Sequence, residues 1–177
     1  AAIVDGEQAG LAYVDITTSE FATTQISIDD LQLELDRLGA SEMLLPRGQP
    51  FPSSVSVSFV TPLEEEHFRP TEAETALKEH FGVATLEAYG CQGMPLAIGA
   101  AGAVLAYLNK TQKPALERLQ GLHTYSPRAF MLLDQQTRRN LELFQASRWG
   151  DASHSLMFSL DLTSTPMGGR LLRRWLS

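Results

Sequence analysis

The 177-residue chain has a single cysteine, Cys91. That excludes an internal disulfide framework and a cysteine-built metal cluster, and a reducing, cytoplasmic setting is the simplest expectation. Long apolar runs are missing as well. The longest weakly polar stretch, Met94 to Leu108, is full of Gly and Ala and falls short of the roughly 18 residues a membrane span needs. The opening AAIVDGEQAG has neither a basic start nor an apolar segment, so no signal peptide is expected. No G-x-x-x-x-G-K-[ST] occurs: GCQGMPLAIG and GAAGAVLA have glycines but no lysine at the phosphate position, which argues against a nucleotide site. No G-x-S-x-G elbow is present. The four histidines, His67, His80, His123 and His154, share no metal-ligand spacing and read as surface or partly packed residues. Cys91 reads as a small buried or loop residue, without the basic neighbour that would activate it.

What is present is an ordinary core composition, 44% hydrophobic, and an uneven charge. Residues 1–133 hold 8 Lys/Arg against 17 Asp/Glu, a net −9, whereas residues 134–177 hold 6 Arg against 4 Asp/Glu, a net +2. The first part is a poor partner for phosphate backbones, and the change near Asp134 marks a boundary between two units. Arg138, Arg139, Arg170, Arg173 and Arg174 read as solvent-face residues, because no interleaved aromatic platform accompanies them.

Two strands are expected at the start, about Gly10–Ile16 and Phe21–Ile28, joined by Thr17-Thr18-Ser19-Glu20. Ser27 is placed to cap a helix carrying Leu31, Leu35 and Leu38 and ending at Gly39. Met43–Leu45 reads as a short strand, Pro46–Ser54 as a loop, and Val55, Val57 and Phe59 as an alternating strand. Glu64–Glu66 reads as a solvated loop. Thr71 and Glu74 have capping-box spacing before a helix with Ala73, Leu77 and Phe81, stopped by Gly82. Pro95 starts a helix over Leu96–Leu108 whose small residues allow a close neighbour. Leu119–Tyr125 and Phe130–Leu133 read as late strands, Asp134 as the cap of a helix over Thr137–Phe144, and Thr165-Pro166 as a further helix start. Strand, strand, helix, strand in this order gives an α/β fold with a mixed sheet.

One position suggests chemistry. A carboxylate in the first strand of a ribonuclease-H-like fold, here Asp15, is a metal ligand in nucleases of that architecture. Two-metal hydrolysis needs further carboxylates, and the candidates are Glu72, Glu74 and Asp134, each of which also suits a helix start. The alternative is that Asp15 ends its strand and accepts hydrogen bonds from the Thr17-Thr18-Ser19 turn.

The carboxy-terminal residues are more specific. LDQQTRRNLELF (133–144) and SLMFSLDLTSTPMGGRLLRRWLS (155–177) resemble the MutS family of DNA mismatch repair proteins. GLAYVDITTSEF, LGASEMLLP, HFGVATLEAYG and AAGAVLAYLNKTQK look like the connector domain of the same family. The resemblance implies a ribonuclease-H-like connector over residues 1–127, then a short all-α start of the core (lever) domain over 128–177. It implies a noncatalytic relay between the mismatch-reading domain and the core of a dimeric parent protein. ATP, Mg²⁺ and mismatched DNA would be handled by other parts of that parent, so no cofactor is expected in this chain. It also implies a docking surface for MutL on the helix after Thr71, at Thr75, Ala76 and Glu79. The competing expectation is a metal-dependent ribonuclease-H-like nuclease using Asp15. Ser19 stands where the family turn usually has Gly, so a positive φ there would be strained. Met167, Leu171, Leu172 and Trp175 are expected to be under-packed, because the rest of the core domain would cover them.

Overall fold

The computed structural model describes residues 1–52, 55, 59–127, 135–145 and 152–176. Three antiparallel strands open the chain: β1 (Ala2–Asp5), β2 (Gln8–Asp15) and β3 (Glu20–Ser27). β1 is an addition to the two expected strands. It is four residues long and ends in a polar turn at Gly6, too short for an alternating pattern to stand out. α1 (Ile28–Leu38) follows at once, with Ser27 Oγ accepting from the Asp29 amide at 3.4 Å and Gly39 closing it in the left-handed region.

β4 (Met43–Pro46) and β5 (Val60–Leu63) form a parallel pair, and β4 lies against β1. The second strand of this pair is thus displaced from the alternation expected at Val55–Phe59. Phe59 is exposed, and Val57 lies outside the described residues. Glu65–Phe68 is a short 3₁₀ turn rather than loop; its acidic residues face solvent, while Phe68 is buried. α2 (Pro70–Phe81), α3 (Pro95–Thr111) and α4 (Lys113–Leu116) come next. The last strand, β6 (His123–Thr124), pairs in parallel with β3, giving the order β1-β2-β3-β6. It occupies two residues of the expected Leu119–Tyr125 strand; Leu119 and Leu122 enter the core from irregular backbone instead.

Two apolar clusters hold this α/β unit. One, under α2 and α3, joins Phe21, Phe68, Leu77, Leu86, Ile98, Val104 and Leu108. The other, under α1, joins Leu11, Ile26, Leu31, Leu35, Met43 and Leu45. α3 is buried along most of its length, and glycines on β2 and on α3 itself explain how. A Cβ on Gly10 would overlap the Leu96 carbonyl, and one on Gly99 would overlap that of Phe68. Helix and sheet therefore meet backbone to backbone. The closeness is satisfied by hydrogen bonds: Thr23 Oγ1 lies 2.8 Å from the Ala97 carbonyl and 2.9 Å from that of Leu11, and Gln25 Oε1 accepts from the Leu96 amide at 3.1 Å.

The remaining described residues hold the helices α5 (Gln135–Asn140), α6 (Leu156–Leu160) and α7 (Pro166–Trp175), joined by turns and irregular backbone. α5 is shorter than the expected Thr137–Phe144 because the backbone turns at Glu142, with φ +50. Phe130–Leu133 and the Asp134 cap lie outside the described residues. Leu156 and Met157 amides donate to Glu142 and Leu143 carbonyls, which ties α6 to the end of α5. Thr165 Oγ1 caps α7 by accepting from the Gly168 amide at 3.1 Å, with Pro166 at its first position.

Candidate docking face

α2 is set up by its two ends and its inner face. Pro70 provides the preformed φ of a first helical residue, so the helix begins before Thr71. This corrects the capping-box expectation. Thr71 lies inside the first turn and donates to Glu72 Oε2 at 2.5 Å, with no side-chain cap at Arg69. That bond from the Thr71 hydroxyl holds the Glu72 carboxyl below the usual carboxylate range. Gly82 ends the helix as expected, in the left-handed region at φ +65, and its amide donates to the Glu79 and Lys78 carbonyls.

Ala73 and Leu77 point inward, and Phe81 packs on Phe21 at 6.5 Å and on Tyr89 at 4.9 Å. The opposite face carries Thr75, Ala76 and Glu79, all exposed. The Thr75 hydroxyl donates back to the Thr71 carbonyl at 2.9 Å. Thr75 and Ala76 are adjacent on this exposed face, and the acid of Glu79 follows one turn on. On the flank, Glu74 and Lys78 pair at 2.6 Å at the rim of a cleft of about 210 Å³, with Leu86 and Ile98 in its lining and Thr85 and Gln92 beside them.

Asp15 ends β2 opposite Glu20. Its Oδ1 accepts from the Thr17 amide at 2.8 Å, the Thr17 hydroxyl at 2.6 Å and the Thr18 amide at 3.3 Å. Partial desolvation pushes its carboxyl up, but the bonds from Thr17 and Thr18 outweigh this and hold it below the ordinary value of 3.8. The carboxylate is turned into its own turn. Glu72 and Glu74 are engaged on α2, Asp134 lies outside the described residues, and among the described residues no three His, Cys, Asp or Glu are grouped to hold a metal. Ser19 does adopt the strained conformation, with φ +59. Cys91 is fully buried, and desolvation pushes its thiol up, away from the reactive range. Arg139, Arg170 and Arg173 are exposed, with Arg173 also stacked 4.5 Å over Phe144; the side chains of Arg138 and Arg174 lie outside the described residues.

A charged group that sequence reasoning missed is Glu34. It is only 1% exposed, on the inner face of α1 between Leu31 and Leu35. The Arg37 fork grips it through Nε at 3.1 and 3.0 Å and through Nη2 at 2.6 Å, and the Tyr125 hydroxyl donates to it at 2.7 Å. The only available signal was a Glu three residues before an Arg within an apolar period, a pattern that surface helices share.

The family model of MutS domain II matches residues 1–120, and that of MutS domain III matches residues 136–177. A DNA mismatch repair protein MutS of Dehalococcoides mccartyi (strain CBDB1) is 42% identical over 96% of this chain and 20% of its own length. Proteins of the same name from Synechococcus elongatus and a Synechocystis species are 44% and 45% identical, over 99% and 94% of this chain and 22% and 21% of theirs. The chain thus spans about a fifth of the length of the curated relatives it matches. Together with an α/β unit followed by helices, these matches place the chain in the MutS family, with domain II sequence first and domain III sequence after it.

Proposed function

We propose that this chain is the coupling and docking section of a larger mismatch repair protein. Residues 1–127 act as its connector domain and residues 128–177 begin its core (lever) domain. The connector joins the mismatch-reading domain to the core and offers the outer face of α2 to MutL through Thr75, Ala76 and Glu79. The chain is noncatalytic by itself. Mismatched DNA, ATP and Mg²⁺ belong to the parent, which is dimeric and cytoplasmic.

The observation that carries the docking reading is the exposed Thr75–Ala76–Glu79 face on a helix whose other side is locked against α3. A rigid helix face with a small central residue lets a partner approach closely at little ordering cost. Coupling to further core residues is supported by the apolar surface of the second part: Phe158, Leu160, Leu162, Met167 and Trp175 are all exposed, more than a solvated helical unit ordinarily presents.

Titration of MutL against the immobilised chain tests the docking face. Ala76→Arg, which places a long charge at the centre of the patch, should weaken binding at least tenfold, the equivalent of about 1.4 kcal/mol. Unchanged affinity with Ala76→Arg and with Glu79→Lys would reject this face. The nuclease reading is tested separately: Mg²⁺- or Mn²⁺-dependent cleavage abolished by Asp15→Asn would replace the noncatalytic assignment.

A further inference from the structure

β6 is two residues long and makes a two-residue parallel register with β3, Ala22 to His123 and Thr23 to Thr124. So short a parallel pairing is a weak restraint on the chain as it leaves the sheet. The next residue, Tyr125, is held from four sides. Its amide donates to the Thr23 carbonyl at 3.1 Å, and its hydroxyl to Glu34 Oε1 at 2.7 Å. Its ring meets Tyr13 edge-on at 5.8 Å, and the Arg37 guanidinium lies 5.5 Å from the ring centroid. Glu34 and Tyr125 are 91 residues apart in sequence, so this contact fastens the end of the sheet to the first helix.

An ion pair with a buried partner, such as Glu34 with Arg37, is weak evidence for fold stability. Well-packed apolar residues often serve as well or better in such positions, whereas a fixed fork of charges selects one geometry for its partner. We infer that Glu34 and Arg37 form a socket for Tyr125, and that this socket sets where and in which direction the chain leaves the domain II part toward residues 136–177. This rests on the coupling reading, since a connector relays position only if its outlet is fixed.

The test uses the 177-residue chain with spin labels at Asn109→Cys on α3 and Gln136→Cys on α5, both exposed sites; the native Cys91 is buried and escapes labelling. Tyr125→Phe keeps the ring and removes only the hydroxyl bond; Glu34→Gln breaks the Arg37 charge pair and serves if the first variant proves unstable. Removing a hydrogen bond to a charged group should raise amide exchange of residues 122–127 roughly tenfold while leaving α3 protection unchanged, and the interlabel distance distribution should broaden. Distributions equally narrow in the parent chain and in both variants overturn the socket but leave the coupling reading standing. A distribution already broad in the unsubstituted chain overturns the coupling reading itself, and the inference with it.

Discussion

Gly102 on α3 faces Ala73 on α2 so closely that a Cβ on the glycine would overlap the Ala73 Cβ and Cα. The small side chains that sequence reading linked to a close neighbour thus bring α3 against the helix carrying the candidate docking face. Gly102→Ala gains helix propensity of up to about 1 kcal/mol, but it can fit only if the two helices separate within a close-packed core. Such overpacking costs typically about 1–3 kcal/mol. The expected net result is a chain destabilised by roughly 1 kcal/mol in urea unfolding; a midpoint at or above that of the parent would show that α2 and α3 are not locked.

Ser19 occupies the left-handed region at φ +59 in the turn between β2 and β3. A non-glycine residue there loses about 1–2 kcal/mol relative to glycine, part of which glycine gives back through the entropy of the unfolded chain. Ser19→Gly should therefore stabilise by roughly 0.5–1 kcal/mol, read as a higher urea midpoint with unchanged slope. A lower midpoint would mean that the serine makes a compensating contact.

Asp15 links this turn to pH. Its folded carboxyl is held below the ordinary 3.8, so its contribution is fully present above that value and is lost as pH falls through the folded one. The parent chain should exceed Asp15→Asn in stability at neutral pH, by a modest margin because the group is only partly buried and solvent screens it, and the gap should close in acid. Carbon-detected NMR titration of Asp15 gives the direct check. A folded titration midpoint at or above the ordinary carboxylate value would show that the Thr17 and Thr18 bonds do not outweigh desolvation.

Trp175 on α7 is 75% exposed, with Met167 and Leu171 exposed on the same helix. In a Trp149→Phe background, acrylamide should quench Trp175 nearly as fast as free indole in the isolated chain. Joining the remaining core sequence of the family should protect it. A shielded indole in a chain shown to be monomeric would contradict the coupling assignment for this segment.

Much of the fold was legible because local chemistry agreed with tertiary demand. Ser27, Gly39, Gly82, Pro95 and Pro166 mark helix ends in the sequence, and each does so in the structure. The Thr71–Glu74 box failed because Pro70, one residue earlier, already suits a helix start. Leu119 and Leu122 read as strand because burial alone gives the same apolar signal on irregular backbone. Of the candidate site, helix α2 and its apolar face were readable, and with them the exposed side; the cleft between α2 and the following loop was not, because its lining comes from residues up to 24 positions apart.

By itself the sequence determined the family and the α/β order, and it set the hydrogen-bond donors of Asp15 beside it, since each depends on residues near one another along the chain. Asp15 finds its donors two and three positions away. Only the tertiary structure decided the fate of Glu34. Nothing within its helix distinguishes a solvated Glu–Arg pair from a buried one. What separates them is Tyr125, carried to α1 by the parallel return of β6 beside β3. Whether a carboxylate is buried and fixed depends on the groups that surround it in space, and those are set by chain topology rather than by the local pattern.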